Sequence, residues 1–272
     1  MTRNARMKDQ GCLIIGGTGG IGLATARRFL EEGARVVVSG LVDAEVDIAR
    51  TALDGVGPNW AHVADVRSAE SVRQLFTASV AWLGGRLDVL VHVAGISGRK
   101  YGDGPLDTCT DSGWEQVLRI NARGAFLTNQ AAVKQMLAQT IDPVTGMRGA
   151  VVNIGSVLSH APSPRHFGTI AYAASKGAMR AMTRAAAADY AAEKVRFNLI
   201  EPALIDTPMS RRAVQDPSIA AYLRVKQPLS EGPGQADDIA EAVLALAEPA
   251  AKFITGAVLQ ADGGWCLSSG DE

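Results

Sequence analysis

A tyrosine and a lysine at helical spacing are the first candidates for chemistry in this sequence. Tyr172 and Lys176 are four residues apart in a segment of helical period, so both side chains lie on one helix face. A free tyrosine has a pKa near ~10, and a neighbouring cation favours its phenolate, which makes the pair a usable acid and base near neutral pH. Such a pair is also common on exposed helix surfaces, so its meaning depends on the residues that accompany it.

Two polar residues earlier in the chain extend this pair into a possible catalytic set. Ser156 follows the apolar run at residues 151–155, and Asn121 stands between Ile120 and Ala122. Serine and asparagine are also frequent turn and capping residues. Their place in an ordered series, rather than their type, is what favours a functional interpretation.

A glycine-rich turn near the N-terminus predicts a phosphate-binding site. The apolar run Cys12–Ile15 leads directly into Gly16, Gly20 and Gly22, and a helical pattern follows. Glycines permit a tight turn and a close approach of the backbone to a pyrophosphate, and the helix N-terminus supplies free N–H groups. A ligand-free tight turn, or the related turn of a methyltransferase, produces a similar pattern.

The chain alternates between β-branched apolar runs and longer helical stretches, which predicts a parallel sheet covered by helices on both faces. The predicted strands are 11–15, 35–39, 60–63, 87–92, 150–154, 195–200 and 257–260. The predicted helices are 20–32, 68–82, 112–138, 171–192 and 236–248, with long loops at 139–149 and 202–235. We therefore expect an α/β fold: a flexible tail at 1–9, then at 10–272 a single Rossmann-like domain with a doubly wound parallel sheet of about seven strands.

Composition excludes several classes of partner. The 272 residues include 27 basic and 28 acidic side chains, so no strong field of one sign favours nucleic acid or an acidic membrane surface. The apolar run before the first glycine is too short for a signal sequence or a membrane span. The three cysteines, Cys12, Cys109 and Cys266, lack the paired spacing of a zinc site, so we expect no metal and a cytoplasmic protein with reduced thiols.

Taken together, these motifs resemble the short-chain dehydrogenase/reductase family over nearly the full chain. The resemblance rests on the glycine turn, Asp65-Val66, Ala94-Gly95, Asn121, Ser156, Tyr172 with Lys176, Pro202, the segment 205–209, Ile254-Thr255-Gly256 and Asp262-Gly263-Gly264-Trp265. It implies an oxidoreductase that transfers a hydride between a nicotinamide cofactor, NAD or NADP, and a small secondary alcohol or ketone.

The resemblance also implies roles for individual residues. Tyr172 would be the general acid/base, Ser156 would donate a hydrogen bond to the substrate oxygen, and Asn121 would hold a water in a proton relay. Lys176 would bind the nicotinamide ribose and lower the pKa of Tyr172. The implied cofactor contacts are Gly16, Thr18, Gly20, Ile21, Gly22, Asp65, Val66, Ala94, Gly95, Tyr172, Lys176, Pro202, Ile205 and Thr207.

The sequence departs from the family pattern at several points. His92 and Val93 stand where two asparagines are usual, and we interpret His92 as a buried or hydrogen-bonded structural residue. Ala203 replaces a glycine, and the segment 162–166 adds about three residues between Ser156 and Tyr172. The second strand ends at Gly40-Leu41, with neither an acid nor a base to select the cofactor, and Asp43 lies slightly downstream. NAD is therefore only slightly favoured.

Other interpretations remain open beside the enzyme. A catalytically inactive dinucleotide-binding homologue with a regulatory role is the main alternative, and a methyltransferase is the next. The basic residues of the later loops, Arg165, His166, Arg211, Arg212, Arg224 and Lys226, suit an anionic substrate, although a solvated surface explains most of them. An edge strand near the C-terminus and Ala-rich helices, together with the family resemblance, predict a homotetramer or at least a homodimer.

Overall fold

Short β-branched runs form a seven-stranded parallel sheet in the computed structural model, which describes residues 5–268. The strands are β1 (Gly11–Ile15), β2 (Arg35–Gly40), β3 (Asn59–Val63), β4 (Val89–His92), β5 (Gly149–Ile154), β6 (Val195–Pro202) and β7 (Val258–Ala261). Their order is β3-β2-β1-β4-β5-β6-β7, and every pair is parallel. The order reverses between β1 and β4, and such a switch point opens a crevice at the carboxyl ends of the strands.

Ten α-helices within the described residues cover the sheet or extend its carboxyl edge. They are α1 (Gly20–Glu31), α2 (Asp43–Leu53), α3 (Ala69–Trp82), α4 (Asp111–Val117), α5 (Arg123–Ala138), α6 (Pro164–Phe167), α7 (Ile170–Tyr190), α8 (Arg211–Val214), α9 (Pro217–Lys226) and α10 (Ala236–Ala247). Helices α1, α2 and α10 pack against one face of the sheet, and α3, α5 and α7 pack against the other. The predicted Rossmann-like, doubly wound fold is therefore confirmed.

The structure contains a helix that the sequence interpretation missed. Helix α2 buries Val46, Ala49 and Leu53, which recur at intervals of three and four residues. Its hydrophobic stripe is a single row, and acidic residues in the first turn, Asp43 and Glu45, make the segment resemble a polar loop. The helix extends the cavity wall beyond the end of β2, where cofactor selection was expected.

Two predicted segments have more internal structure than expected. The helix predicted at 112–138 is interrupted by a π-helical turn, Leu118–Ala122, between α4 and α5. The long excursion at 202–235 contains helices α8 and α9, whose buried side chains Ala213, Ile219 and Leu223 pack beside Trp265. The prolines of this segment suggested a loop, because proline usually interrupts a helix. Pro217, however, lies at the start of α9, where its missing N–H breaks no helical hydrogen bond.

Residues in the second half of the segment 1–9, which is expected to be a flexible tail, make contacts with the rest of the chain. The side chain of Met7 is fully buried, and the Arg6 guanidinium lies 2.5 Å from a carboxylate oxygen of Glu248. Burial of an unbranched apolar side chain and a paired charge together hold this segment against the ends of α1 and α10. Residues 1–4, and residues 269–272 at the end of the predicted domain, lie outside the described residues.

Among the helices of residues 5–268, none combines the length and the apolar character that a membrane crossing requires.

Candidate active site

A cavity of about 610 Å³ opens at the carboxyl ends of the strands, along the switch point between β1 and β4. Loops after β1, β2, β4, β5 and β6 contribute to its wall, together with the first turns of α1 and α7. Most of the sequence-predicted site residues line it: Gly16, Thr18, Gly20, Ile21, Asp65, Val66, Ala94, Gly95, Ser156, Tyr172, Lys176, Pro202, Ile205 and Thr207. The exceptions are Gly22 and Asn121, which lie behind the wall.

The glycine turn has the geometry that a bound pyrophosphate requires. Gly16 has a φ of 76°, and a Cβ atom there would lie 2.8 Å from the backbone nitrogen of Ala94. A Cβ at Gly22 would overlap the carbonyl oxygen of Gly16, so the helix can approach the strand only without a side chain. Backbone N–H groups of Gly16 and Gly17 donate to the Ser39 carbonyl at 3.0 Å, which fixes the turn against β2.

The start of α1 fits the phosphate groups of a dinucleotide. Its N-cap residue, Gly19, makes no side-chain capping hydrogen bond, and the first turn contains no acidic residue. The free N–H groups and the positive end of the helix dipole are therefore available to an anion. Thr207 closes this end of the cavity, because a Cβ at Gly20 would lie 3.1 Å from its Cγ2 atom.

Tyr172 lies in the first turn of α7, beside Ser156 at the end of β5. Burial raises the pKa of the Tyr172 phenol above its ordinary value, and a hydrogen bond with Ser156 opposes this shift. The phenol is therefore protonated at neutral pH in the protein alone. Ser156 itself also accepts a hydrogen bond from the Leu158 N–H at 3.2 Å, which fixes its rotamer.

Lys176 is almost fully buried, one turn along α7 from Tyr172. Its Nζ atom donates a 2.7 Å hydrogen bond to the Ile154 carbonyl and lies 5.8 Å from the centre of the Tyr172 ring. Burial lowers the pKa of Lys176 to about 8. In this arrangement the main contact of the ammonium is with β5. The pKa of Tyr172 is raised, whereas the family resemblance implied that Lys176 would lower it.

Asn121 is buried in the π-helical turn and contacts the backbone rather than the cavity. Its Oδ1 atom accepts from the Ile96 N–H at 2.8 Å, and its Nδ2 atom donates to the Ile96 carbonyl and to Ser175 Oγ, each at 3.0 Å. These bonds connect the loop after β4 to α7. The Asn121 side chain thus supports the cavity wall at Gly95 from behind. A Cβ atom added at Gly95 would lie 3.1 Å from Asn121 Oδ1.

His92 is buried and structural, as the sequence interpretation predicted. Its Nδ1 atom lies 2.8 Å from Thr128 Oγ1, and its side chain is fully excluded from solvent. Burial and the charge of Lys176 lower the pKa of His92 to about 3, so the ring is neutral at physiological pH. A neutral, enclosed imidazole is unsuited to act as the acid.

Asp103 is a functional residue that the sequence interpretation missed. Its two carboxylate oxygens accept from the backbone N–H groups of Ala171 and Tyr172, at 3.0 and 2.9 Å. This carboxylate caps the start of α7 and therefore fixes the backbone that carries the phenol. A helix is normally capped by the residue just before it in the sequence. A capping residue in a distant loop therefore leaves no recognisable pattern near the start of the helix.

Glu45 is the second missed residue. It lies in the first turn of α2 and lines the cavity at the end of β2, where its Oε2 atom accepts from the Leu41 N–H at 3.0 Å. The spacing of Val46, Ala49 and Leu53 could have predicted the helix α2, and Glu45 lies in its first turn, close to the end of β2.

Comparisons with known proteins agree with this geometry. A family model described as enoyl-(acyl carrier protein) reductase matches residues 16–266. The cis-4-hydroxycyclohexanecarboxylate dehydrogenase of Sinomonas cyclohexanicum is 34% identical, covering 93% of this chain and 95% of the relative. The L-tagatose-forming galactitol 2-dehydrogenase of Cereibacter sphaeroides is also 34% identical, covering 95% and 96%. A short-chain type dehydrogenase/reductase of Mycobacterium ulcerans superposes with a TM-score of 0.84 at 27% identity, covering 96% of this chain and 91% of the other.

Removing the Asp103 cap should loosen the start of α7. We expect Asp103→Ala to lower the free energy of unfolding by about 1–3 kcal/mol, because two buried N–H groups lose their acceptor. Amide hydrogen exchange at Ala171 and Tyr172 should accelerate as well, whereas Asp107→Ala in the same exposed loop should change neither quantity. Unchanged exchange at both amides in Asp103→Ala would show that the cap is unimportant.

Proposed function

This chain belongs to the short-chain dehydrogenase/reductase family and is an NAD(P)-dependent oxidoreductase acting on CH–OH groups, and we propose that Tyr172 is its general acid/base. The observation that carries the proposal is the adjacency of Tyr172 and Ser156 on a cavity whose other end fits a dinucleotide. The nicotinamide, when bound, supplies or accepts the hydride. The protein then has to bind the cofactor and the substrate, orient them, and exchange a proton with the substrate oxygen.

The residues around Tyr172 can perform these tasks. In the reducing direction the protonated phenol gives its proton to the carbonyl oxygen, and in the oxidising direction the phenolate takes the alcohol proton. Ser156 donates a hydrogen bond to the same oxygen and favours the charge that develops on it. Lys176 holds α7 on β5 through Ile154, and its ammonium favours the phenolate once the phenol has lost its proton.

The interpretation as an inactive dinucleotide-binding homologue explains the glycine turn but not the other end of the cavity. A phenol and a hydroxyl meet there beside a buried ammonium, which is the set that proton transfer to a substrate oxygen requires. Turnover distinguishes the two functions directly.

The Tyr172→Phe variant tests the proposed acid/base. It removes one hydroxyl from the cavity while α7 and the glycine turn stay intact, so kcat should fall by about 1,000-fold or more and NADH affinity should change less than about threefold. Tyr190→Phe, at the other end of α7, is the matched control and should keep the activity. Oxidation of a panel of secondary alcohols, followed at the nicotinamide absorbance band, measures the first quantity, and fluorescence titration with NADH measures the second. A Tyr172→Phe variant with a substantial share of the original kcat would contradict the proposal.

We propose further that the enzyme prefers NAD and that Glu45 is the reason. The usual position for a selecting acid, at the end of β2, is closed: a Cβ at Gly40 would lie 2.7 Å from Thr18 Cγ2. Glu45 reaches the same place from α2, with its Oε2 atom 3.3 Å from that hypothetical Cβ. A carboxylate there accepts hydrogen bonds from ribose hydroxyl groups and repels a 2′-phosphate.

The basic residue at this end of the cavity does not offset Glu45. Arg67 lines the cavity, but its guanidinium makes a bidentate contact with Asp65: Nε donates to Oδ1 at 2.8 Å and Nη2 donates to Oδ2 at 2.7 Å. The hydrogen bonds from Arg67 hold the pKa of Asp65 below its usual value, so the acid is charged and the pair is neutral overall. A 2′-phosphate would have to break this pair to gain a counter-charge.

Neutralising Glu45 should shift the cofactor preference. In Glu45→Gln, kcat/KM with NADP should rise by about tenfold relative to kcat/KM with NAD, because the repulsion disappears while an acceptor for the Leu41 N–H remains. Asp43 lies in the same helix turn but does not line the cavity. The Asp43→Asn variant removes an equal charge and should leave the ratio of kcat/KM with NADP to kcat/KM with NAD within about twofold of wild type. An equal shift in both variants would indicate a general effect of charge rather than contact with the ribose.

We also propose a cytoplasmic homotetramer, or at least a homodimer. Strand β7 is an edge of the sheet and exposes Leu259, and Phe253 next to it is fully exposed. On α7 the exposed face carries Ala178, Ala181, Ala185 and Ala188, which permit close packing of a second helix. These two surfaces suit two-fold contacts with further copies of the chain. The three unpaired cysteines fit a reducing compartment.

A further inference from the structure

The cavity has a second, chemically different end beyond Tyr172. Its wall there is apolar and includes Leu158, Phe167 and Trp265. Trp265 is buried, and its ring packs edge-on against Phe167, with ring centres 5.8 Å apart. This wall suits the hydrocarbon body of a small substrate and is rigid enough to orient it.

Two arginines interrupt the apolar wall. Arg99 comes from the 3-10 turn after β4, and Arg212 comes from α8, yet both line the same cavity. Arg99 donates to the carbonyl of His166 at 3.0 Å, which draws its side chain toward the loop that precedes α7. Arg212 is next to Ala213, which packs with Trp265 in one apolar cluster. The pair therefore belongs to the substrate end and not to the glycine turn.

Neither guanidinium of this pair forms an ion pair within the described residues. No carboxylate of residues 5–268 lies within the 4.0 Å ion-pair distance of either guanidinium. Asp103 and Asp216 instead cap α7 and α9, the latter through the Ser218 N–H at 2.9 Å, and they act on the two arginines only from beyond ion-pair distance. Burial lowers the pKa of Arg99, the charge of Arg212 lowers it further, and the charge of Asp103 opposes this shift.

Like charges gathered at the rim of an apolar cavity are unfavourable unless a ligand offsets them. We propose that Arg99 and Arg212 bind the carboxylate of the substrate, so that the enzyme acts on small hydroxy acids and keto acids with an apolar body. This assignment rests on the proposed function, since it requires the reacting oxygen to lie at Tyr172 and Ser156. Guanidinium groups suit a carboxylate because their N–H donors form a planar fork.

A pair of probes that differ in charge but hardly in shape tests the assignment. Cyclohexanecarboxylate and cyclohexanecarboxamide are titrated by calorimetry into the NADH-loaded protein, in both wild type and Tyr172→Phe. We expect the carboxylate to bind at least tenfold more tightly than the amide, and the preference to weaken between low and high salt. Because binding needs no proton transfer, Tyr172→Phe should retain the preference even though its turnover is lost.

Single substitutions identify the residues responsible. Arg99→Gln and Arg212→Gln should each weaken carboxylate binding by about tenfold and change amide binding by less than about twofold. Arg211→Gln is the matched control, since Arg211 precedes Arg212 in α8 but does not line the cavity. The same variants should raise KM for 3-oxocyclohexanecarboxylate more than KM for its primary amide, whereas Arg211→Gln should change neither.

Several results would overturn the assignment. A wild type that binds the amide as well as the carboxylate, or binds neither, has no carboxylate site. Loss of NADH affinity in Arg99→Gln or Arg212→Gln, with the carboxylate preference intact, would assign the arginines to the cofactor. Turnover of neutral alcohols with no preference for acids would leave the proposed function standing and remove only the substrate class.

Discussion

The hydrogen bond between the buried Lys176 ammonium and the Ile154 carbonyl is the contact on which the site depends. A buried charge needs a partner, and this 2.7 Å bond supplies one from the last residue of β5. It holds α7 against the sheet so that Tyr172, one turn earlier, stands beside Ser156. Asp103 fixes the same helix from the other side through the Tyr172 N–H. Two strong polar contacts thus determine where the phenol lies.

The cavity has opposite charges at its two ends. Glu45 contributes a carboxylate at the end of β2, and Arg99 and Arg212 contribute guanidinium groups beyond Tyr172. We propose that the first end binds a dinucleotide with free ribose hydroxyl groups and that the second binds a substrate carboxylate. Under these two proposals the orientation of both reactants is selected before any proton moves, because each charged end repels the wrong group.

The sequence predicted the sheet well, since parallel strands buried on both faces appear as short β-branched runs such as Val36-Val37-Val38. It also predicted the glycine turn and the Tyr172–Lys176 pair, whose meaning depends on local spacing. Asp103 was not predictable, because it caps a helix 68 residues away in the chain. The sequence indicated that Arg212 suits an anion, but only the fold shows that Arg99 lines the same cavity.

In the proposed mechanism the Tyr172 phenol carries the proton, and the pH dependence of kcat/KM in both directions tests this role most directly. Because burial raises the pKa of Tyr172, the phenol stays protonated through neutral pH. Ketone reduction should therefore be constant near neutral pH and fall at alkaline pH, whereas alcohol oxidation should rise with pH toward the same limit. His92, with its pKa lowered to about 3, contributes nothing in this range. A reduction rate controlled by a group that titrates near ~6.5, as an ordinary histidine does, would contradict the account.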